Sequence, residues 1–380
     1  MEWLLEIGYA MGRFFLQPAL YIFILINIFI GVLRVKKERR EFSFKVHDIW
    51  YELRMSAFAG VGIGLLLSIA TVGIGVVVSQ DSLQVIAVLS AIGALLLPFG
   101  LLSAAYSIGV AIIVTGFSLY SNSDETSLAA LAFLMSLLLF AEGHLIAKRA
   151  AYETTPRLQK GKRGLLVGSH ESKRIWLVPL LVLVPSEGIG KLFSWWPVFT
   201  IGAETYSLFV IPFLLGFARR VIGSLPNIAI TYTGHRVMGL SILVFVLALT
   251  SIWMPGIAIA AAGIAMLGRL MIAMQDRMHD QQQTPYFSVQ KTGVMILDIL
   301  PGSAAEELGL RPGEVITKVN GNYIEDVADF HRALRQKGAF CKLEVLDVQG
   351  EIRFAQRALY ADDGDLGILF VRGDNREQAV

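Results

Sequence analysis

Apolar runs long enough to cross a bilayer recur between residues 14 and 274, separated by short polar or basic stretches. A spanning helix needs roughly 20 mostly apolar residues, because about 30 Å of hydrocarbon is covered at 1.5 Å per residue. Phe14 to Leu33 predicts a first span, Met55 to Ser79 a second and Leu128 to Ala147 another. The block Leu83 to Tyr120 predicts two shorter passes broken near Pro98 and Gly100. Ile175 to Pro185 is short and holds Pro179 and Pro185, so a tilted span extended to Phe193 or a re-entrant piece inside protein is expected there. Val198 to Ala218 is expected to span, and Val237 to Trp253 with Ile257 to Met274 to form a helical hairpin turning at Met254, Pro255 and Gly256. These runs sum to about nine spans, with six to nine as the range. Residues 1–13, with Trp3, Leu4, Ile7 and Tyr9 among polar neighbours, predict a short interfacial helix.

Past this region the pattern changes. Gln275 to Thr284, QDRMHDQQQT, is polar and unpatterned, a linker or the tail of the preceding helix. After Pro285 the period becomes alternating. Gly293 to Ile299 predicts a strand, Pro301-Gly302-Ser303 a turn, and Ala304 to Leu308 a short helix stopped by Gly309. A turn at Arg311-Pro312-Gly313-Glu314 leads to a strand at Val315 to Val319, then to a tight Asn320-Gly321 turn. Asp326 can cap a helix through Lys337, terminated at Gly338, in which Val327, Phe330 and Leu334 share one face. Strands Lys342 to Val348 and Ile352 to Leu359 are expected to pair across Gln349-Gly350.

Composition supports a lipid environment: 54% of the 380 residues are hydrophobic, 17% are charged, and the mean hydropathy is +0.59. The net charge of +2 matters less than where the basic residues lie. Arg34 to Arg54 holds Arg34, Lys36, Lys37, Arg39, Arg40, Lys45 and Arg54, and Lys148 to Arg174 holds eight more; no Lys or Arg occurs between Met55 and Ala147. Short loops rich in Lys and Arg stay on the cytoplasmic side, which places these loops and the C-terminal module inside. Arg219, Arg220 and Arg236 mark a third inside loop, with Arg269 and Arg277 flanking the exit of the last span. Glu142 and His144, within a turn of Lys148 and Arg149, are expected near the cytoplasmic interface. GVGIG at 60–64 lacks the strand and polar anchor of a nucleotide site, and its spacing predicts close helix–helix packing.

The order of turns and elements centred on LPGSAAEELGLRPGEVITKVNG resembles a PDZ domain of the bacterial type. The family's carboxylate-binding loop is not found just before Gly293; a match occurs at the end instead, in Asp365-Leu366-Gly367-Ile368-Leu369-Phe370. That position implies a circularly permuted domain, its groove lying between a strand at Leu366 to Val371 and the helix from Val327. The resemblance assigns Leu366, Gly367, Ile368 and Leu369 to the loop and strand, with Val327, Phe330, His331 and Leu334 on the opposite wall. Such a groove captures a peptide or C-terminal tail by strand addition. The fold class expected is therefore a polytopic α-helical membrane bundle followed by a small α+β PDZ domain. Its boundaries are 1–274 for the bundle, 275–284 for the linker and 285–374 for the PDZ domain.

Catalytic chemistry is not legible. His47, His144, His170, His235, His279 and His331 are scattered singly, without the paired histidines and glutamate of a zinc protease. Ser241 in GLSIL lacks a flanking glycine pattern, GKRGLLVGS lacks phosphate-loop spacing, and the single Cys341 gives neither disulfide nor metal site. The expectation is a non-enzyme without cofactor, metal or nucleic-acid partner. The opening FFLQPALYIF followed by RVKKERREF, the glycine-rich spans, two further basic loops and one terminal PDZ module resemble the MinJ family of division-site adaptors. That resemblance implies a scaffold at poles and division septa, linking DivIVA to the MinC–MinD inhibitor of the FtsZ ring. Membrane lipid is a further expected partner of the basic loops, and an oligomer is compatible with the sequence. The alternative is a PDZ-containing transporter or regulator of intramembrane proteolysis.

Overall fold

The computed structural model describes residues 2–42, 46, 48–96, 99–119, 125–161, 164–191, 193–199, 205–336, 340–358 and 366–371. In chain order the first region comprises α1 (Glu2–Phe15), α2 (Pro18–Phe42), α3 (Tyr51–Ile74), α4 (Gln80–Leu96), α5 (Ala104–Leu119) and α6 (Glu125–Leu145), the last continued by a π turn at Ile146–Ala150. Three strands follow, β1 (Thr155–Lys160), β2 (Leu166–Gly190) and β3 (Thr205–Val221), then α7 (Pro226–Thr250) and α8 (Gly256–Gln282). Among the described residues five segments are helical, long and apolar enough to cross a membrane: Pro18–Phe42, Tyr51–Ile74, Leu128–Ala150, Pro226–Thr250 and Gly256–Gln282. Their outward faces are apolar, as at Phe58, Leu65 and Ile69 of α3 and Ile242 and Val246 of α7.

The expected span Val198 to Ala218, and the tilted span or re-entrant piece expected at Ile175 to Pro185, are corrected: β3 covers most of the first and β2 the second, and the two pair antiparallel from His170↔Val221 to Gly190↔Thr205. The prolines explain why a sheet is tolerated. In an antiparallel ladder alternate residues turn their N–H and C=O away from the partner strand. Leu177, Pro179, Leu181 and Leu183 belong to that outward set, because their backbone groups face α3 and the Val76–Val78 segment. Pro179 lies opposite Pro212, so neither missing N–H breaks the hairpin ladder.

An edge strand among apolar helices leaves backbone groups without water. Here α3 closes the β2 edge. Thr71 Oγ1 donates to Leu181 O at 2.6 Å, Ser68 Oγ accepts from Leu181 N at 2.9 Å, and Val78 N and Val76 O bond Leu183 O and N at 2.9 and 3.1 Å. Gly60 and Gly64 bring α3 this near: an added Cβ would lie 2.2 Å from Leu177 O and 2.4 Å from Pro179 O. The glycine pair thus serves close packing as expected, but against a strand and not a helix. On the β3 side, Gly216 N reaches Leu102 O at 2.5 Å and Gln17 Nε2 reaches Val210 O at 2.7 Å.

Glu142, expected at the interface, is fully buried, its carboxylate bonded to Arg269 Nε at 2.8 Å and Ser103 Oγ at 2.5 Å. Arg269 is equally buried, so the pair ties α6 to α8 inside the bundle. Several basic residues of the expected inside loops are also committed internally: Arg34 to Glu38 and Glu52, Arg174 to Glu52 and Glu153, Arg157 to Glu41 and Glu171. The polar segment 275–284 is mostly helix, because α8 runs through it to Gln282.

The last region contains β4 (Val294–Ile299), α9 (Ala304–Glu307), β5 (Val315–Val319), β6 (Asn322–Tyr323), α10 (Val327–Gln336), β7 (Phe340–Leu346), β8 (Ile352–Ala358) and β9 (Ile368–Phe370). Its sheet runs β8-β7-β5-β4-β9, with β6 beside β5. Asn320 and Gly321 take the positive φ of 53° and 89° that a two-residue hairpin demands. Asp326 Oδ1 accepts from Asp329 N at 2.7 Å and caps α10. Lys337, Gly338 and Asp365 lie outside the described residues.

Candidate peptide-binding site

β9 ends the sheet path, and α10 lies across its inner face. Strand alternation divides β9 between two environments. Ile368 and Phe370 enter the domain core, where the Phe370 ring sits 4.9 Å from that of Phe330. Leu366, Phe330 and Leu334 join the same cluster, with Val327 packed against it and His331 half-buried beside Phe330 at 5.4 Å between rings. The structure therefore gathers seven of the eight expected residues around one strand–helix pair. Their apolar side chains fill the space between the two walls, Leu366 and Phe330 having no exposed surface.

Leu369 is the exception. It points to the opposite face and packs with Phe287, Leu297 and Val371. Gly367 turns the chain into β9 with φ +76°, and an added Cβ would meet Ser303 Cβ at 2.4 Å. The loop's carbonyls are tied down, Leu366 O by Ala305 N and Gly367 O by Leu300 N, both at 2.9 Å. A backbone held this way is fixed in an extended conformation, with residues 366–371 all buried.

The second face of β4–β9 is a dock that sequence reasoning missed. Met295 and Leu297 of β4, with Leu369 and Val371, close over Phe287 and Phe42 at the end of α2. Phe287 has no exposed surface, and its carbonyl accepts from Gly168 N at 2.8 Å; Tyr286 N bonds Ile222 O at 2.9 Å. His170 Nε2 lies 3.0 Å from Leu297 O. Burial drives the His170 pKa down to about 4, against the pull of that carbonyl, and drives Asp298 up to about 7 despite its bond from Ile299 N, with Glu38 adding to the rise. The available signal was the run VMIL, apolar on both faces of one strand, which marks a sheet covered on both sides. Cys341 is buried within the PDZ core, and burial lifts its thiol to about 11.

A helical region with helices long and apolar enough to cross a membrane is joined to a sheet-and-helix domain with the strand order of a PDZ fold. A family model for the PDZ domain matches residues 295–346. Along its entire length the chain is 38% identical to the cell division topological determinant MinJ of Bacillus subtilis (strain 168), covering 98% of that relative. It is 24% identical to the probable cell division topological determinant MinJ of Lacticaseibacillus paracasei, over 88% of this chain and 90% of the relative. The chain belongs to the MinJ family. A shorter match, 32% over 72 residues, is to the putative serine protease HhoA of a Synechocystis species and covers 19% of this chain.

Proposed function

We propose that this chain is a membrane-anchored scaffold in division-site selection, with the PDZ domain on the cytosolic side gathering division regulators. The observation that carries the reading is the full-length identity to a cell division topological determinant. The basic ends of the apolar segments support the orientation, since Arg39 and Arg40 close α2 on the side where Phe42 meets the PDZ domain. MinD and DivIVA are the partners this reading names, with poles and septa as the place of action and a multi-pass anchor holding the chain there. The PDZ domain, permuted so that its last strand forms the groove, takes an extended tail along β9, with α10 shifting outward because Ile368, Phe370, Phe330 and Leu334 fill the space between them in this structure. The chain works by binding and not by catalysis.

The test is a deletion strain complemented with the fluorescently tagged chain. Septal fluorescence and normal cell length are expected from the intact protein, with loss of MinD capture in pull-downs when residues 285–380 are removed. Diffuse membrane fluorescence with unchanged division would overturn the reading. Accumulation of uncleaved membrane substrates would favour the proteolysis role.

A further inference from the structure

On the far side of the molecule from the PDZ domain, a cavity of about 570 Å³ opens between α1, α2, α4 and the end of the β2–β3 hairpin. Distance along the hairpin sets its depth. His170 touches the PDZ domain and Ser186 lines the cavity; the 16 residue steps from one to the other span about 50 Å at about 3.3 Å each, more than the roughly 30 Å hydrocarbon core even for a tilted strand. The cavity therefore belongs to the leaflet opposite the PDZ domain.

Its walls are mostly apolar, formed by Leu83, Ile86 and Val88 of α4 with Leu208, Phe209 and Ile211 of β3, and carry the hydroxyls of Ser90, Ser186 and Ser207. Val88 is 56% exposed, so the cavity opens sideways and not only toward water. The rim is polar. Arg13, Gln80 and Gln84 stand there exposed, and their side chains make no hydrogen bond or ion pair among the described residues. Asp81, in the same turn of α4, does not line the cavity. Glu6 is two helical turns from Arg13, about 10 Å along α1. A single unpaired cation with amide donors, above an apolar chamber open to hydrocarbon, matches an amphiphile with an anionic head and an acyl tail. The volume is that of a small-molecule site. A peptide would bring more backbone N–H and C=O groups than the three serine hydroxyls could pair.

We propose that this cavity binds one anionic phospholipid of the leaflet opposite the PDZ domain, its phosphate at Arg13 between Gln80 and Gln84 and one acyl chain along α4 and β3. The inference requires the helices to lie in a bilayer but not the scaffold role, and its readout is separate from division.

The test uses the full chain in detergent, titrated with phosphatidylglycerol or phosphatidylcholine of identical chains and read by native mass spectrometry. One phosphatidylglycerol per chain is expected to be retained in preference to phosphatidylcholine. Arg13→Gln should weaken phosphatidylglycerol retention roughly fivefold, the worth of one basic side chain at an anionic lipid surface, and abolish the preference. Ala87→Trp, or Ala91→Phe should the first variant aggregate, should fill the chamber and weaken both lipids about tenfold or more. Arg40→Gln, an exposed cation on the PDZ side, should change neither. The proposal is overturned by equal retention of both lipids, by an Arg40→Gln loss matching that of Arg13→Gln, by retention that survives a filled chamber, or by full competition from glycerol 3-phosphate.

Discussion

Among the described residues two sheets form in different surroundings. The β2–β3 hairpin, surrounded by apolar helices, has its edge closed from α3 by two hydroxyls and two glycines. The PDZ sheet ends at β9 with no further strand on its path. An exposed N–H or C=O costs little where solvent can bond it and about 1–3 kcal/mol where nothing can. In the hairpin that closure is structural; at β9, where Ile368, Leu369 and Phe370 are each buried, pairing with a further strand belongs to the proposed function.

The comparison breaks most severely at Gly64. Gly64→Leu should abolish monodisperse protein in detergent, because its side chain would occupy the place of Pro179 O and neither helix nor hairpin can retreat alone. Phe287→Ala should cost about 3–5 kcal/mol of docking stability, read as new protease cleavage between α8 and β4, while the PDZ domain keeps its own fold. Thr71→Val, which keeps the shape and removes the donor to Leu181 O, should lower the melting temperature by an amount equivalent to about 1–3 kcal/mol.

The pH response of the dock is subtler. His170 has a folded pKa of about 4, below the ordinary 6.5, so its contribution is complete above pH 6.5 and lost as pH falls toward 4. Asp298, raised from 3.8 to about 7, contributes in the opposite sense: fully below pH 3.8, and lost as pH rises through 7. Between pH 4.5 and 6.5 the two slopes offset. Hydrogen exchange at the Gly168 amide should then be nearly flat with pH after correction for intrinsic rate. Asp298→Asn should make protection fall on acidification, and His170→Gln should make it rise. The smallest effect belongs to Gly350→Ala in the solvated β7–β8 turn, about 1 kcal/mol, since φ is +88° but nothing lies within 4 Å of the added Cβ.

Legibility followed the physics of each region. The PDZ turns were readable because Asn320-Gly321, Gly309 and Gly313 are forced by backbone geometry, which a local sequence records. The helices were readable from run length alone. The hairpin was not, because an apolar run of this length, fully buried, carries no period to separate strand from helix. Pro179, Pro185 and Pro212 were the available clue, falling at one parity of the ladder register. Glu142 misled because its sequence neighbours Lys148 and Arg149 suggested an interface, whereas its actual partner, Arg269, is 127 residues away. For the groove, sequence located the strand–helix pair but not the side of β9 on which Leu369 falls, since only the dock reveals which face is inward.

The backbone bonds from Gly168 to Phe287 and from Tyr286 to Ile222, with α8 running almost to the domain, leave the PDZ module little room to swivel. A tail caught along β9 would be held at a set stand-off from the bilayer and on a set bearing relative to the anchor. Cargo would then arrive oriented as well as concentrated, and lateral diffusion of the anchor would carry that heading with it.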